Sequence, residues 1–168
     1  MRKIVFAALL LSAVAAYAGE PSNEITTENV IAQMNAHRAE HGLPPLQADE
    51  RLMKAAADRM KHMEDEAYWS HTSPDGVTPF VWVRLRNYDF KAAGENLATG
   101  FETARLLVTS WMESPGHRAN ILSAMYEDCG IAIIDGAVDG PSSGKSIVVL
   151  FAKKQPEFQL PVLVRKRD

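Results

Sequence analysis

The sequence predicts an α+β domain, on three observations. Helical apolar patterns occupy the first two thirds of the chain. Two apolar runs of strand length, near residues 130–134 and 147–153, close the last third, joined by a link rich in Gly, Asp and Ser. The composition is that of a folded chain: of 168 residues, 46% are hydrophobic and 23% charged. Helices followed by strands, without strict alternation, point to an antiparallel sheet covered by helices. The length favours one domain.

The charge balance narrows the function classes. Lys and Arg number 18 against 21 Asp and Glu, a net charge of −3, so no basic excess supports non-specific nucleic-acid binding. A single cysteine, Cys129, excludes an internal disulfide framework and any multi-cysteine metal site. It leads into an apolar run, which predicts a buried free thiol. No apolar run after residue 20 approaches the roughly 18 residues of a membrane span.

Taken in order, residues 1–18 have a basic head (Arg2, Lys3), an apolar stretch from Ile4 to Ala16, and Ala16-Tyr17-Ala18 at its end. This is the pattern of a secretory signal peptide cut after Ala18, which implies a secreted or periplasmic protein. Cleavage makes the mature chain more acidic by two charges. Residues 19–26 form a polar leader. A first helix is expected from about Thr27 to His41, with Ile31, Met34 and Arg38 on one face and Gly42 as its stop. After a Pro-rich connector, Asp49 is placed to cap a second helix bearing Leu52, Ala55, Ala56, Met60 and Met63 on one stripe. Irregular chain is expected through residues 69–76, then a helix near Thr78 to Arg86 with Pro79 in its first turn. Gly94-Glu95-Asn96-Leu97 has no assignable type. A fourth helix, about Glu102 to Met112, sets Ala104, Leu107, Val108 and Trp111 at core spacing. Ser114-Pro115 ends it and starts a short helix, with Ser114 as cap and Pro115 at the first position. The two strands follow. Residues 156–168 are a C-terminal extension with the basic run Arg165-Lys166-Arg167, read as a strand and a solvated tail.

Two histidines have settings suited to chemistry. His71 lies in a Ser/Pro/Gly-rich loop after two aromatics, and His117 enters a helix on a tight turn. Glu95 stands between Gly94 and Asn96, where glycine suggests close backbone packing. Two imidazoles and a carboxylate can hold a divalent ion with water in the remaining positions, or serve as general acid and base. They can equally be structural. His37, His41 and His62 lie on predicted helices and read as solvated. Trp69, Trp82 and Trp111 can line a ligand groove, although Trp111 also falls on the core stripe. Neither a nucleophile elbow nor a phosphate or dinucleotide loop is present.

An ordered set of motifs then brings in a family. Asn35-x-x-Arg38, Gly42-Leu43-Pro44-Pro45-Leu46, His71-Thr72-Ser73-Pro74-Asp75-Gly76, Gly94-Glu95-Asn96-Leu97-Ala98 and the run from Trp111 through Ser114-Pro115-Gly116-His117-Arg118 to Leu122 occur in sequence. Gly130-Ile131-Ala132 and Val148-Val149-Leu150-Phe151-Ala152 follow. Over residues 27–153 the chain resembles the bacterial, SCP-like branch of the CAP superfamily (cysteine-rich secretory proteins, antigen 5 and pathogenesis-related proteins), with the domain drawn at 27–155. The resemblance implies a three-layer α-β-α sandwich with a central antiparallel sheet and an open cleft lined by two histidines and two glutamates. His71 and His117 match the histidines, and Glu95 the first glutamate. It implies a divalent cation, often Zn2+, held by His71 and His117, or else a sterol, fatty acid or partner protein; no general enzymatic activity is established for the family.

One position departs from the pattern. The second glutamate of the eukaryotic branch stands three residues after the tryptophan, where this chain has Ser114, and Glu113 comes one step earlier. On an unbroken helix Glu113 lies about 190° from the apolar stripe and faces solvent. A break at Ser114-Pro115 is needed to swing it back. The expectation is therefore a cleft that binds a small molecule, lipid, peptide, cell-envelope component or cation. Metal-assisted hydrolysis through His71, His117 and Glu95 is one alternative, and a structural or interaction protein is another.

Overall fold

The computed structural model describes residues 23–138, 140 and 143–156. The expected signal peptide, the first half of the leader and the C-terminal extension beyond Pro156 lie outside the described residues. Helix α1 (Thr27–Glu40) begins where the Thr26 side chain accepts from the Asn29 amide. Its buried positions are Val30, Met34 and Arg38, a strict i, i+4 row, with Ile31 only half-buried. Arg38 can be buried because its guanidinium donates to the main-chain carbonyls of Pro44, Ile121, Ser123 and Tyr126. Strand β1 (Gln47–Ala48) follows, then helix α2 (Glu50–Asp65), capped by Asp49 as the sequence indicates. All five expected stripe residues of α2 are buried, and so is Arg59, which shares their spacing.

Helix α3 (Phe80–Leu85) is shorter than expected, and Pro79 is its N-cap instead of a first-turn residue. Strand β2 (Phe90–Phe101) then takes in the segment around Gly94 that the sequence leaves unassigned. Its Ala, Gly, Glu and Asn content is poor in strand formers, so tertiary packing decides its type. Helix α4 (Ala104–Glu113) buries Ala104, Leu107, Val108 and Trp111. Helix α5 (Pro115–Ile121) begins with Pro115 in its first turn; Ser114 is the N-cap by position but makes no side-chain cap hydrogen bond, contrary to the expected role. Strands β3 (Asp128–Asp135) and β4 (Lys145–Lys154) extend the two expected runs by a few residues.

The strand order is β1-β3-β4-β2. β4 is antiparallel to both β3 and β2, and the two-residue β1 pairs with β3 in parallel, so the sheet is mixed at that one edge. The period of two along β4 divides the core. Ile147, Val149 and Phe151 pack with α1, α4 and α5 residues such as Met34, Trp111 and Ile121. Val148, Leu150 and Ala152 pack with α2 and α3 residues such as Met60 and Val83. The result is the expected α-β-α sandwich. Gly130 sets one spacing in it: a β-carbon there would lie 2.0 Å from the Leu52 carbonyl carbon of α2. Cys129 is buried in the first core, and loss of solvation pushes its thiol up to about 12.

β2 is the other edge of the sheet. Every second carbonyl along its middle is capped by a side chain. Tyr126 Oη donates to Ala93 O (3.2 Å), Asn120 Nδ2 to Glu95 O (3.1 Å) and Trp111 Nε1 to Leu97 O (3.2 Å). These bonds occupy three carbonyls of the strand's open edge and blunt it against pairing with another chain.

Candidate functional site

Alternation along β2 sends neighbouring residues to opposite layers. Glu95 goes to the α2 side and Asn96 to the α5 side. The Glu95 side chain is 2% exposed and both of its oxygens are engaged. Arg59 Nε, from α2, donates to Oε2 at 3.0 Å, and His71 Nδ1 meets Oε1 at 2.8 Å. A carboxylate can only accept, so Nδ1 of His71 carries a proton and Nε2 is left for other chemistry. The His71 side chain is 59% exposed. Its pKa is raised, first by the hydrogen bond to Glu95 and opposed by partial burial. His71, Thr72, Thr78, Pro79, Phe80 and Glu95 line an open hollow of about 310 Å³.

On the other side, Asn96 Nδ2 donates to the His117 carbonyl at 3.2 Å, and Asn120 Nδ2 to Asn96 Oδ1 at 2.8 Å. The His117 ring sits 6.3 Å from that of Trp111. Its pKa is lowered by burial first and by the charge of His71 second. Gly94 permits this closeness, since a β-carbon there would lie 2.5 Å from Tyr126 Oη and 3.0 Å from Asn120 Oδ1.

The structure thus joins His71 to Glu95 directly and brings His117 to the same strand from the opposite layer, outside the lining of the His71 hollow. Glu113 goes elsewhere. It is exposed and lines a separate hollow of about 450 Å³ with Gly100, Phe101, Glu102, Leu106, Thr109 and Ser110. The helix break at Ser114 does not turn it back. Among the described residues, no group of three His, Cys, Asp or Glu side chains is arranged to hold a metal ion.

Two sequence expectations need correction. His62 is not a solvated helix position: it is half-buried, with Nδ1 2.9 Å from Tyr68 Oη and its ring edge-on to Tyr68 and Trp82. None of the three tryptophans lines the hollow. Trp82 and Trp111 are buried, Trp69 packs on the second core, and the aromatic wall is Phe80. His41 is exposed, as expected, and His37, half-buried, pairs with Glu40 at 3.1 Å. Arg59 was missed, although its signal was present: a charge at the i+3/i+4 spacing of an apolar stripe needs a buried partner. Asn96 and Asn120 carried no such signal, because an amide in a loop or strand has many ordinary uses.

The model of the cysteine-rich secretory protein family, CAP, matches residues 31–149. The uncharacterized protein YkwD of Bacillus subtilis is 37% identical over 116 residues, 68% of this chain and 45% of that protein. An extracellular SCP-domain protein of Bacillus anthracis, solved by crystallography, superposes with a TM-score of 0.64 at 27% identity, covering 76% of this chain and 40% of that one. An outer surface protein of Borrelia burgdorferi gives 0.66 at 24% identity, with 78% and 96% covered, and shares the fold. The chain therefore spans less than half the length of the curated relatives it matches. No helix among the described residues is long and apolar enough to cross a membrane.

Proposed function

The chain belongs to the cysteine-rich secretory protein (CAP) family, and from that premise we propose that it is a secreted or periplasmic binding protein working through the hollow at His71 and Glu95, with His117 contributing from the other layer of the same strand. Its occupant is a small molecule, lipid, peptide or cell-envelope component. The observation that carries this reading is a buried, doubly held carboxylate that aims an exposed imidazole into an open pocket. Pro79 and Phe80 offer apolar contact there, and Thr72 and Thr78 offer hydroxyls. Binding is favoured over catalysis because the obvious nucleophiles are spent. The Cys129 thiol is buried with its pKa near 12, and the Ser73 hydroxyl is held between Asp75 and the Val77 amide.

A divalent cation, Zn2+ first, is a further occupant. An imidazole whose Nδ1 is fixed by a carboxylate is the usual form of a histidine ligand. His71 and His117 would hold the ion, with water or the ligand completing its shell, because no third protein ligand is gathered among the described residues. A second reading, hydrolysis, is favoured by the opposite shifts of the two histidines, which suit an acid and a base. Both Glu95 oxygens are already engaged, so His117 is the freer base. A bound ion would supply an acidified water.

The test is native mass spectrometry of protein purified from its own compartment, beside a variant with alanine at His71 and His117, followed by zinc calorimetry at neutral pH. A co-purifying mass lost in the variant supports the reading; its retention in both overturns it. Zinc affinity unchanged by the substitutions removes the cation. Hydrolysis of peptide, ester or cell-wall substrates at equal rates in both proteins removes the second reading.

A further inference from the structure

We propose that Arg59 is the positioning residue of this hollow: one buried guanidinium fixes both the carboxylate that orients His71 and the backbone that carries it. The inference rests on the hollow being the functional site, as argued above. The Arg59 side chain is 0% exposed. Its Nε donates to Glu95 Oε2 at 3.0 Å, and a terminal nitrogen donates to the Ser70 carbonyl, one residue before His71, at 2.5 Å. The other terminal nitrogen bonds the Tyr68 hydroxyl, which in turn meets His62 Nδ1. The guanidinium also stacks over Trp82, 4.9 Å from the ring centroid, and lies 5.3 Å from that of Tyr68.

The chemistry of the fork explains why an arginine suits this place. A stripe position on α2 could be filled by methionine, as at Met60 and Met63, with no charge to desolvate. Methionine has no directed donors. Lysine carries its three donors on one freely rotating nitrogen, so it lacks the fixed, separated vectors that hold the carboxylate and the carbonyl in one relation. The planar guanidinium holds three acceptors on three vectors at once. Glu95 comes from β2 and Ser70 from the loop after α2, so Arg59 ties two elements whose relative placement sets the His71–Glu95 bond.

The experiment is Arg59→Lys, which keeps the charge and removes the fork. His71 is titrated by NMR, and amide exchange is followed at Ser73 and Val77, whose amide hydrogens are bonded within the loop. The expected result in the folded variant is a fall in the His71 pKa, as the carboxylate loses its alignment. Loop exchange should accelerate about tenfold. A folded variant with unchanged titration and exchange overturns the proposal, and so does one that loses only stability. If R59K does not fold, Glu95→Gln is compared with Arg59→Met/Glu95→Gln, in which neither buried charge remains. Faster loop exchange in the double variant supports the clamp, and equal exchange overturns it. Neither readout uses a ligand, so failure of the binding reading and failure of this one are told apart.

Discussion

Residues 95 and 96 are neighbours in sequence and opposites in environment. Glu95 enters an ionic layer with Arg59 and His71, while Asn96 enters a neutral one with Asn120, the His117 carbonyl and Trp111. The histidine on the ionic side is pushed toward its charged form and the one on the amide side toward its neutral form. One strand with a period of two therefore makes two chemically different imidazoles and brings both to the same edge of the sheet. The difference comes from the carboxylate bonded to one ring, and from the burial of the other with the charge of His71 nearby.

The comparison can be broken most forcefully from the ionic side. Glu95→Leu leaves the Arg59 charge buried without its counter-ion and should destabilise the fold by about 3–5 kcal/mol in urea unfolding. Asn120→Ala, on the amide side, removes donors to Glu95 O and Asn96 Oδ1 and should cost about 1–3 kcal/mol. Equal losses from the two would mean that the layers do not differ in kind.

Titration sharpens the same contrast. In NMR the His71 pKa should lie above its ordinary value and the His117 pKa below, and Glu95→Gln should bring His71 down by removing the carboxylate that raises it. The linked stability effects have opposite signs. The His71 contribution is complete below its unfolded pKa and fades as pH rises through its folded one. For His117, stability is complete above the unfolded pKa and falls as pH drops through the folded one. His71 is more than half exposed, so its share is small. The smallest effect belongs to Glu113→Gln. It should change stability by less than about 0.5 kcal/mol and leave both histidine titrations where they were. A shifted titration of either ring would put Glu113 back in the cleft.

Much of the fold was legible because it rests on periodicity. The stripes of α2 and α4, the Asp49 cap and the two closing strands are readable residue by residue. Strand β2 was not, because its composition is set by the site and by close packing: a glycine for Tyr126, a glutamate for Arg59 and an asparagine for α5 replace the β-branched residues that announce a strand. The outward face of Glu113 followed from helix geometry alone. His62 misled because its face of α2 borders the stripe, and only the return of the chain through Tyr68 and Trp82 covers it. Arg59 was readable in principle, since a charge among methionines and alanines on a buried stripe implies a partner elsewhere in the fold.

The pairing of Glu95 with Leu150 and of Asn96 with Val149 has a consequence for folding. A slip of β2 by one residue would exchange the two layers: a carboxylate would meet the indole and amides of one face, and Arg59 would meet only an amide. The penalty for that error is that of a stranded charge, larger than the loss of a few methyl contacts. In a strand short of β-branched residues, the groups of the pocket therefore also serve as the alignment mark by which the last strands find their correct pairing.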